Sequence, residues 1–484
     1  MMKFRLISQI LGVGLVIFSL FQLLPIAIAL IYQENSLVSF TYSFLITLSS
    51  GLFLIAVNFN KEYEDLRIRD GFLLTVLLWF TFSIFASLPF FIGKTVNLSI
   101  VNAYFEAVSG LTTTGASILT NLDAQLKSIL FYRSLLQWIG GLGIIVLALA
   151  LFPLLGVGGM QLYRGETQGS VSGTKLRPKM AETGKSLWFV YLLLTAACSL
   201  CYFVSGMDIF DAITHSFTTV AIGGFSNYDQ SFAYFDNNLL YFFGSIFMLL
   251  SALSFSLHFV ALKKRTLIGY FLDPELKFFL NIAFLSFLFL FISMIIFTDN
   301  NDLSLLMKSL FQTVSFLTTT GFTSEDHSSM PSYLPYFLIG LAGMGACAGS
   351  TGGGIKAIRI LIFLKQGVKE LKKLVHPNSV LPLKIGNKII SQEIKDSVWG
   401  FLAVYLITLL IGTMLLLASG LNFETAFSAV FSCINNLGPA LGDATLNYSS
   451  LNEISKLFLS FAMILGRLEI YTLLVLFTSF FWRT

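Results

Sequence analysis

The sequence predicts an all-α integral membrane protein, and three observations carry that prediction. The chain of 484 residues is 55% hydrophobic and 12% charged, against about 45–50% and about 25% in soluble domains. Its mean hydropathy is +0.80. Apolar runs of ~20 residues, the length that crosses ~30 Å of hydrocarbon, recur along it. A soluble fold could not cover its surface with so few charges, which excludes soluble enzymes, nucleic-acid binders and secreted disulfide scaffolds. A β-barrel would instead alternate apolar and polar residues over ~10 positions per strand.

In chain order, Met-Met-Lys-Phe-Arg runs straight into an apolar segment with no small-residue cleavage site, so this segment reads as a retained first helix. Ten long apolar segments follow one another at 6–31, 38–59, 71–92, 130–152, 186–205, 239–262, 277–298, 334–362, 397–420 and 457–481. An even number of spans puts both termini on one side. With the N-terminus in the cytoplasm, 22 of the 30 Lys and Arg are cytoplasmic and four (Lys94, Lys127, Lys308, Lys456) are external. Arg133, Lys356, Arg359 and Arg467 fall in or near the membrane. That asymmetry fixes the orientation by the positive-inside rule. Cys198, Cys201, Cys347 and Cys433 all sit in apolar or Gly-rich stretches and read as small packing residues.

The external connections after the third, fifth, seventh and ninth spans are too apolar for ordinary loops and too short for further spans. At 97–117, 208–226, 301–324 and 422–442, each opens polar, continues helix-like and closes on a Gly-containing polar sequence. Half-membrane helices followed by irregular backbone are tolerated only where protein buries them or water lines them. These segments therefore read as re-entrant pore loops.

They are also copies of one unit. Aligned on Gly115, Gly224, Gly321 and Gly438, they carry Ser109, Thr218, Ser315 and Ser432 six residues upstream. Twelve upstream lie the small residues Ala103, Ala212, Ser309 and Ala426. The anchors are 109, 97 and 117 residues apart, room for a span, a half-helix, a filter strand and a second span each time. The triplets before the glycines are Thr112-Thr113-Thr114, Ala221-Ile222-Gly223, Thr318-Thr319-Thr320 and Asn435-Asn436-Leu437.

This chemistry suits a monovalent cation. Backbone carbonyls replace its water without adding full charges, and four converging strands supply rings of them. Glycine permits the backbone conformations that turn successive carbonyls inward. Each half-helix aims its partially negative C-terminus at the ion. Because the triplets differ, the second lacking Thr and the fourth using Asn, the ring is expected to be approximate and its selectivity looser than that of a symmetric filter.

Ser109-Gly-Leu-Thr-Thr-Thr-Gly-Ala-Ser117 resembles the first filter of the TrkH potassium-transport subunits, as do Ile222-Gly-Gly-Phe-Ser226, Thr318-Thr-Thr-Gly-Phe322 and Asn435-Asn-Leu-Gly-Pro-Ala-Leu-Gly442. Gln137-Trp-Ile-Gly-Gly-Leu-Gly-Ile-Ile145, Gly158-Gly-Met-Gln-Leu-Tyr-Arg164 and Gly349-Ser-Thr-Gly-Gly-Gly-Ile-Lys356 are similar to further signatures of the same family. The resemblance spans essentially the whole chain. It implies two N-terminal transmembrane helices (1–70) and four pseudo-symmetric M1–pore helix–M2 repeats around one pore (71–165, 184–265, 274–375, 396–484). It further implies potassium uptake across a bacterial inner membrane, a homodimer in the lipid bilayer, and a cytosolic TrkA-type regulatory subunit that holds the nucleotide. The carbonyls it implies as K+ ligands are those of Thr112, Thr113, Ala221, Ile222, Thr318, Thr319, Asn435 and Asn436.

Two features gain meaning from this. The eighth span is crowded with Gly340, Gly343, Gly345, Gly349, Gly352, Gly353 and Gly354, ahead of Lys356, although each helical Gly costs about 1 kcal/mol against Ala. Small-residue helix packing is one reading. Three consecutive glycines cannot share one face, so an unwound segment beneath the filter is favoured, and the family resemblance implies an intramembrane gate there. Arg467 lies near the middle of the last span, where an unshielded charge costs about 2.5–3.5 kcal/mol. With the resemblance it reads as a pore-facing cation that limits conduction, the alternative being a structural salt bridge. His215 and His258 read as packing residues.

Other functions fit less well. A less selective or sodium-coupled transporter, similar to KtrB and HKT proteins, is the alternative within transport. For an intramembrane aspartyl hydrolase, Asp443 after Gly442 lacks a second membrane Asp to share its proton. There is no HExxH and no Walker lysine, so neither enzyme chemistry nor nucleotide binding is expected on this chain.

Overall fold

The computed structural model describes residues 3–57, 67–92, 96–141, 143, 180–298, 302–331, 333–379 and 381–483. The inner half of the expected fourth span, the Gly158–Arg164 motif, Lys94 and several of the cytoplasmic basic residues lie outside them.

The N-terminal pair, α1 (Phe4–Ile31) and α2 (Leu37–Ala56), forms a hairpin. Gly12 and Gly51 let the two backbones touch, since a Cβ on either would lie 2.8–2.9 Å from the other's carbonyl oxygen. The expected first repeat follows as α3 (Ile68–Phe91), the half-span helix α4 (Ile100–Leu111), called a pore helix after its expected place, and α5 (Lys127–Gly141). The second comprises α6 (Met180–Val204), the pore helix α7 (Ile209–Val220), α8 (Asn238–Ala252) and α9 (Phe255–Lys264). After the short α10 (Ile268–Leu272), the third comprises α11 (Pro274–Thr298), the pore helix α12 (Leu303–Leu317), α13 (Leu334–Ala342) and α14 (Ala357–Val375). A two-stranded antiparallel hairpin, Lys384–Ile385 with Lys388–Ile389, precedes α15 (Gln392–Ala418), the pore helix α16 (Phe423–Asn435) and α17 (Glu453–Arg467). Short turns α18 (Tyr471–Leu474) and α19 (Ser479–Trp482) end the chain.

Among the described residues, α1, α2, α6, α11, α15 and nearly all of α3 are long and apolar enough to cross a membrane. The pore helices are 12, 12, 15 and 13 residues long, only about half a bilayer at 1.5 Å per residue. Each starts after a polar N-cap (Ser99, Asp208, Asp302, Asn422), the residue types that satisfy the free amides of a first turn.

Among the described residues, three expected spans are not continuous. The segment at 239–262 bends by 94° between Ala252 and Phe255, and the segment at 457–481 bends by 108° after Arg467. The first break persists because another loop satisfies its backbone: Cys347 donates to the Ala252 carbonyl at 2.9 Å, and Phe255 donates to that of Gly349 at 3.0 Å. At the second, Glu469 and Ile470 take φ of 55° and 58°, which ends a right-handed helix. Arg467 is therefore at a helix end, not mid-span. The eighth segment is helical to Ala342 and again from Ala357, with irregular backbone between.

Candidate ion filter and gate

The four repeat glycines form a closed cycle. A Cβ on Gly115 would lie 2.3 Å from the Gly223 carbonyl oxygen. One on Gly224 would lie 2.0 Å from that of Thr320, one on Gly321 2.0 Å from that of Leu437, and one on Gly438 2.6 Å from that of Thr114. Each glycine thus abuts the last triplet carbonyl of the next repeat, in the order one, two, three, four, one. All four have positive φ, 82°, 76°, 84° and 99°, the left-handed region that glycine occupies without penalty. Any side chain would breach the ring and strain its backbone together.

The serine and threonine column gains a reason. Each pore helix ends in the same two-bond turn: the third triplet amide donates to the carbonyl of Ser109, Thr218, Ser315 or Ser432 at 2.8–2.9 Å. The second triplet amide donates one residue further on, to Gly110, Thr219, Phe316 or Cys433. This is a Schellman cap, with Thr113, Ile222, Thr319 and Asn436 in the left-handed position at φ 53–68°. The eight residues proposed to present K+ ligands all belong to these turns and are at most 1% exposed. The small-residue column is equally buried.

Sequence reasoning missed a second column, nine residues before the glycines, that pins the exit strand. Glu106 accepts the Ile118 amide at 2.8 Å, and Gln312 accepts that of Ser324 at 2.9 Å. In the fourth repeat Ser428, one residue earlier, accepts the Leu441 amide at 2.9 Å. In each of these the amide lies three residues past the glycine. His215 fills this column in the second repeat, one ring nitrogen 3.0 Å from the Ser226 hydroxyl; it packs, as expected, but also braces. Glu106 is further paired with Arg133 at 2.8 Å, both side chains essentially inaccessible. Arg133 also donates to the Ser226 carbonyl and the Ser117 hydroxyl and lies over the Phe225 ring, joining the strands that follow Gly115 and Gly224. The fixed offset from the glycines was the available signal.

Beyond the ring lies a cavity of about 480 Å³ that all four glycines line, with Asp229, Glu325 and Asp326 on its wall. Burial holds the Glu325 carboxyl above its usual range, an effect Lys308 partly offsets.

On the other face, the glycine-rich segment 343–356 is folded against the triplets. The Gly354 amide donates to the Asn435 carbonyl at 3.1 Å, and the Gly353 amide donates to the Thr319 hydroxyl at 2.8 Å. A Cβ on Gly353 would sit 2.1 Å from the Asn435 oxygen, and one on Gly352 2.9 Å from the Thr318 oxygen. Gly345, Gly349 and Gly354 take positive φ, Gly343 packs on Phe431, and the Lys356 ammonium donates back to the Gly352 carbonyl. The Thr351 hydroxyl donates to the Val220 carbonyl at 3.0 Å, and Glu275 accepts the Ala348 amide at 2.7 Å. Arg467 donates to the carbonyl of Thr351 at 2.8 Å and to those of Gly140 and Gly141 at 2.6 and 2.8 Å. It thus joins the loop to the inner helices of the first and fourth repeats. Glu469 pairs with Arg359.

This geometry has close counterparts. The profile of the family described as "TrkH: Cation transport protein" matches residues 37–483. The chain belongs to the TrkH family. The Trk system potassium uptake protein TrkH of Escherichia coli K12 is 45% identical over 485 residues, covering 100% of both chains. The potassium uptake protein TrkG of the same organism is 39% identical, covering 99% of each. The crystal structure of the potassium transporter TrkH from Vibrio parahaemolyticus superposes with a TM-score of 0.91 at 43% identity, over 100% of both chains. The fold is that of a helical, multi-span membrane transporter, and the family is one of transporters, not enzymes.

Proposed function

We propose that this chain carries potassium ions inward across a bacterial inner membrane through a single pseudo-tetrameric filter. The observation that supports this most is the cyclic contact of Gly115, Gly224, Gly321 and Gly438 with the neighbouring triplet carbonyls. Potassium is the transported ion. The carbonyls of Thr112, Thr113, Ala221, Ile222, Thr318, Thr319, Asn435 and Asn436 replace its water, and the four pore-helix C-termini add partial negative charge. The acidic vestibule raises the local cation concentration. The loop carrying Gly343, Gly345, Gly349, Gly352, Gly353, Gly354 and Lys356 closes the inner side, with Arg467 as a fixed cation at the same level. The protein works as a homodimer with both termini cytoplasmic, and a TrkA-type nucleotide-binding subunit on that face releases the loop.

Potassium-uptake complementation in a transport-deficient bacterium, with sodium as competitor, tests this reading. Growth on low potassium that excess sodium does not block is the expected result. Sodium-dependent or sodium-inhibited uptake would favour the less selective, KtrB- or HKT-like alternative, and no uptake would overturn the proposal.

A further inference from the structure

The four filter strands share a backbone but not a support. In the first and third repeats the triplet braces itself: the Thr112 and Thr114 hydroxyls are 2.8 Å apart, and those of Thr318 and Thr320 2.7 Å. In the fourth, the Asn436 amide donates to the Met463 carbonyl at 2.9 Å and the Thr114 hydroxyl at 3.0 Å. The second triplet, Ala221-Ile222-Gly223, has no side chain able to hydrogen-bond.

Gln137 fills that gap from another repeat. It lies on α5, fully buried, and its Nε2 donates to the Gly223 carbonyl at 2.6 Å while its Oε1 accepts the Phe225 amide at 3.1 Å. The side-chain amide meets the strand as a neighbouring peptide would. One strand acceptor and one strand donor also fix which end of the amide is which. The match extends to shape, because a Cβ on Gly223 would lie 2.4 Å from Gln137 Cδ and Oε1. Gly223 is glycine, at a φ an ordinary residue could adopt, because the glutamine occupies the space of its side chain.

We infer that Gln137 is a positioning residue for ion selectivity: it holds the Gly223 carbonyl in the ring, replacing across a repeat boundary the hydroxyl pair that the second triplet lacks. The inference rests on the filter reading above. A carbonyl ring discriminates between ions through the number and field of the oxygens it holds in place. Freed from Gln137, the Gly223 carbonyl, which abuts Gly115 and follows the ligand carbonyls of Ala221 and Ile222, can turn, let that strand relax and leave the second quadrant permissive.

The test is the potassium-to-sodium flux ratio of purified protein in liposomes, with thermal stability measured in parallel. Gln137→Met keeps length and volume but removes both bonds, and should lower the ratio about tenfold, the scale of two neutral hydrogen bonds. Gly223→Ala, which evicts the amide from the other side, should do the same, and it carries the test if the Met variant does not fold. Because both changes remove one interaction, the double variant should also lose about tenfold, not a hundredfold. Gly224→Ala is the control for the filter itself. A ratio that falls for Gly224→Ala but not for Gln137→Met or Gly223→Ala overturns the inference and leaves the filter standing, as do multiplicative losses in the double variant. A ratio unchanged even by Gly224→Ala overturns the filter reading instead.

Discussion

The outer and inner faces of the proposed filter are built on opposite plans. On the outer face four different sequences converge on one backbone: the same Schellman turn, the same left-handed pair, the same glycine against the next carbonyl. On the inner face the described inner helices do not share one backbone course. Repeat two bends by 94° and repeat four by 108°, while repeat three unwinds from 343 to 356. Among the described residues one loop, from repeat three, spans the centre and is held by Val220, Asn435, Thr319 and Arg467 from the other elements. A single ion on an axis needs equivalent oxygens from all sides, so symmetry is kept there in backbone. A single loop on that axis meets four different walls, so the inner face is specified by side chains.

If the outer face is a rigid ring, its hidden supports should matter most. Arg133→Met strands the buried Glu106 carboxylate, which should cost about 3–5 kcal/mol. Thermal unfolding in detergent should show it, with much of the loss recovered in Glu106→Leu/Arg133→Met. Equal stability of the single and double variants would mean that the pair does not hold the ring.

On the inner face the effects should appear in basal flux. Arg467→Gln removes a positive charge from the proposed cation pathway and the grip on Thr351, Gly140 and Gly141. Liposome flux without a regulatory partner should rise about tenfold, the equivalent of one lost charge-assisted hydrogen bond. Normal flux in an unstable protein would make Arg467 structural only. Thr351→Val, which loses one neutral hydroxyl bond to Val220, should give a smaller rise of about fivefold. A change in ion selectivity from either variant would blur the division between the two faces.

The weakest effect belongs to the vestibule. Glu325→Gln removes one charge at a distance, worth about twofold in uptake at low potassium and less at high salt. As burial raises the Glu325 carboxyl, the wild type should lose this increment on mild acidification, at a higher pH than an ordinary glutamate would. The Gln variant should lack that step in a pH profile of initial uptake rate.

The outer face was largely legible in the sequence because its repeats place like residues at fixed offsets: Gly115, Gly224, Gly321 and Gly438, and the small columns behind them. What escaped were partners whose offset is fixed to within one residue but whose chemistry varies, Glu106, His215, Gln312 and Ser428, and contacts across repeats such as Arg133 to Ser226. The glycine density at 343–354 disclosed an irregular segment, and the structure has one there. The bends at 253 and 468 were not legible, because long apolar runs cover both: the first is held from elsewhere, by the loop that bonds Ala252 and Phe255, and the second by left-handed backbone at Glu469 and Ile470, neither of them a glycine that would announce it.

The central claim is that four unlike strands act as one filter, and the most direct measurement is potassium uptake with sodium competition for Gly115→Ala, Gly224→Ala, Gly321→Ala and Gly438→Ala, each scaled to the protein reaching the membrane. The account predicts normal insertion and, in every repeat alike, a marked loss of uptake or of discrimination against sodium, since each Cβ would fall 2.0–2.6 Å from a neighbouring carbonyl oxygen. Unchanged uptake and unchanged sodium discrimination in all four would contradict it.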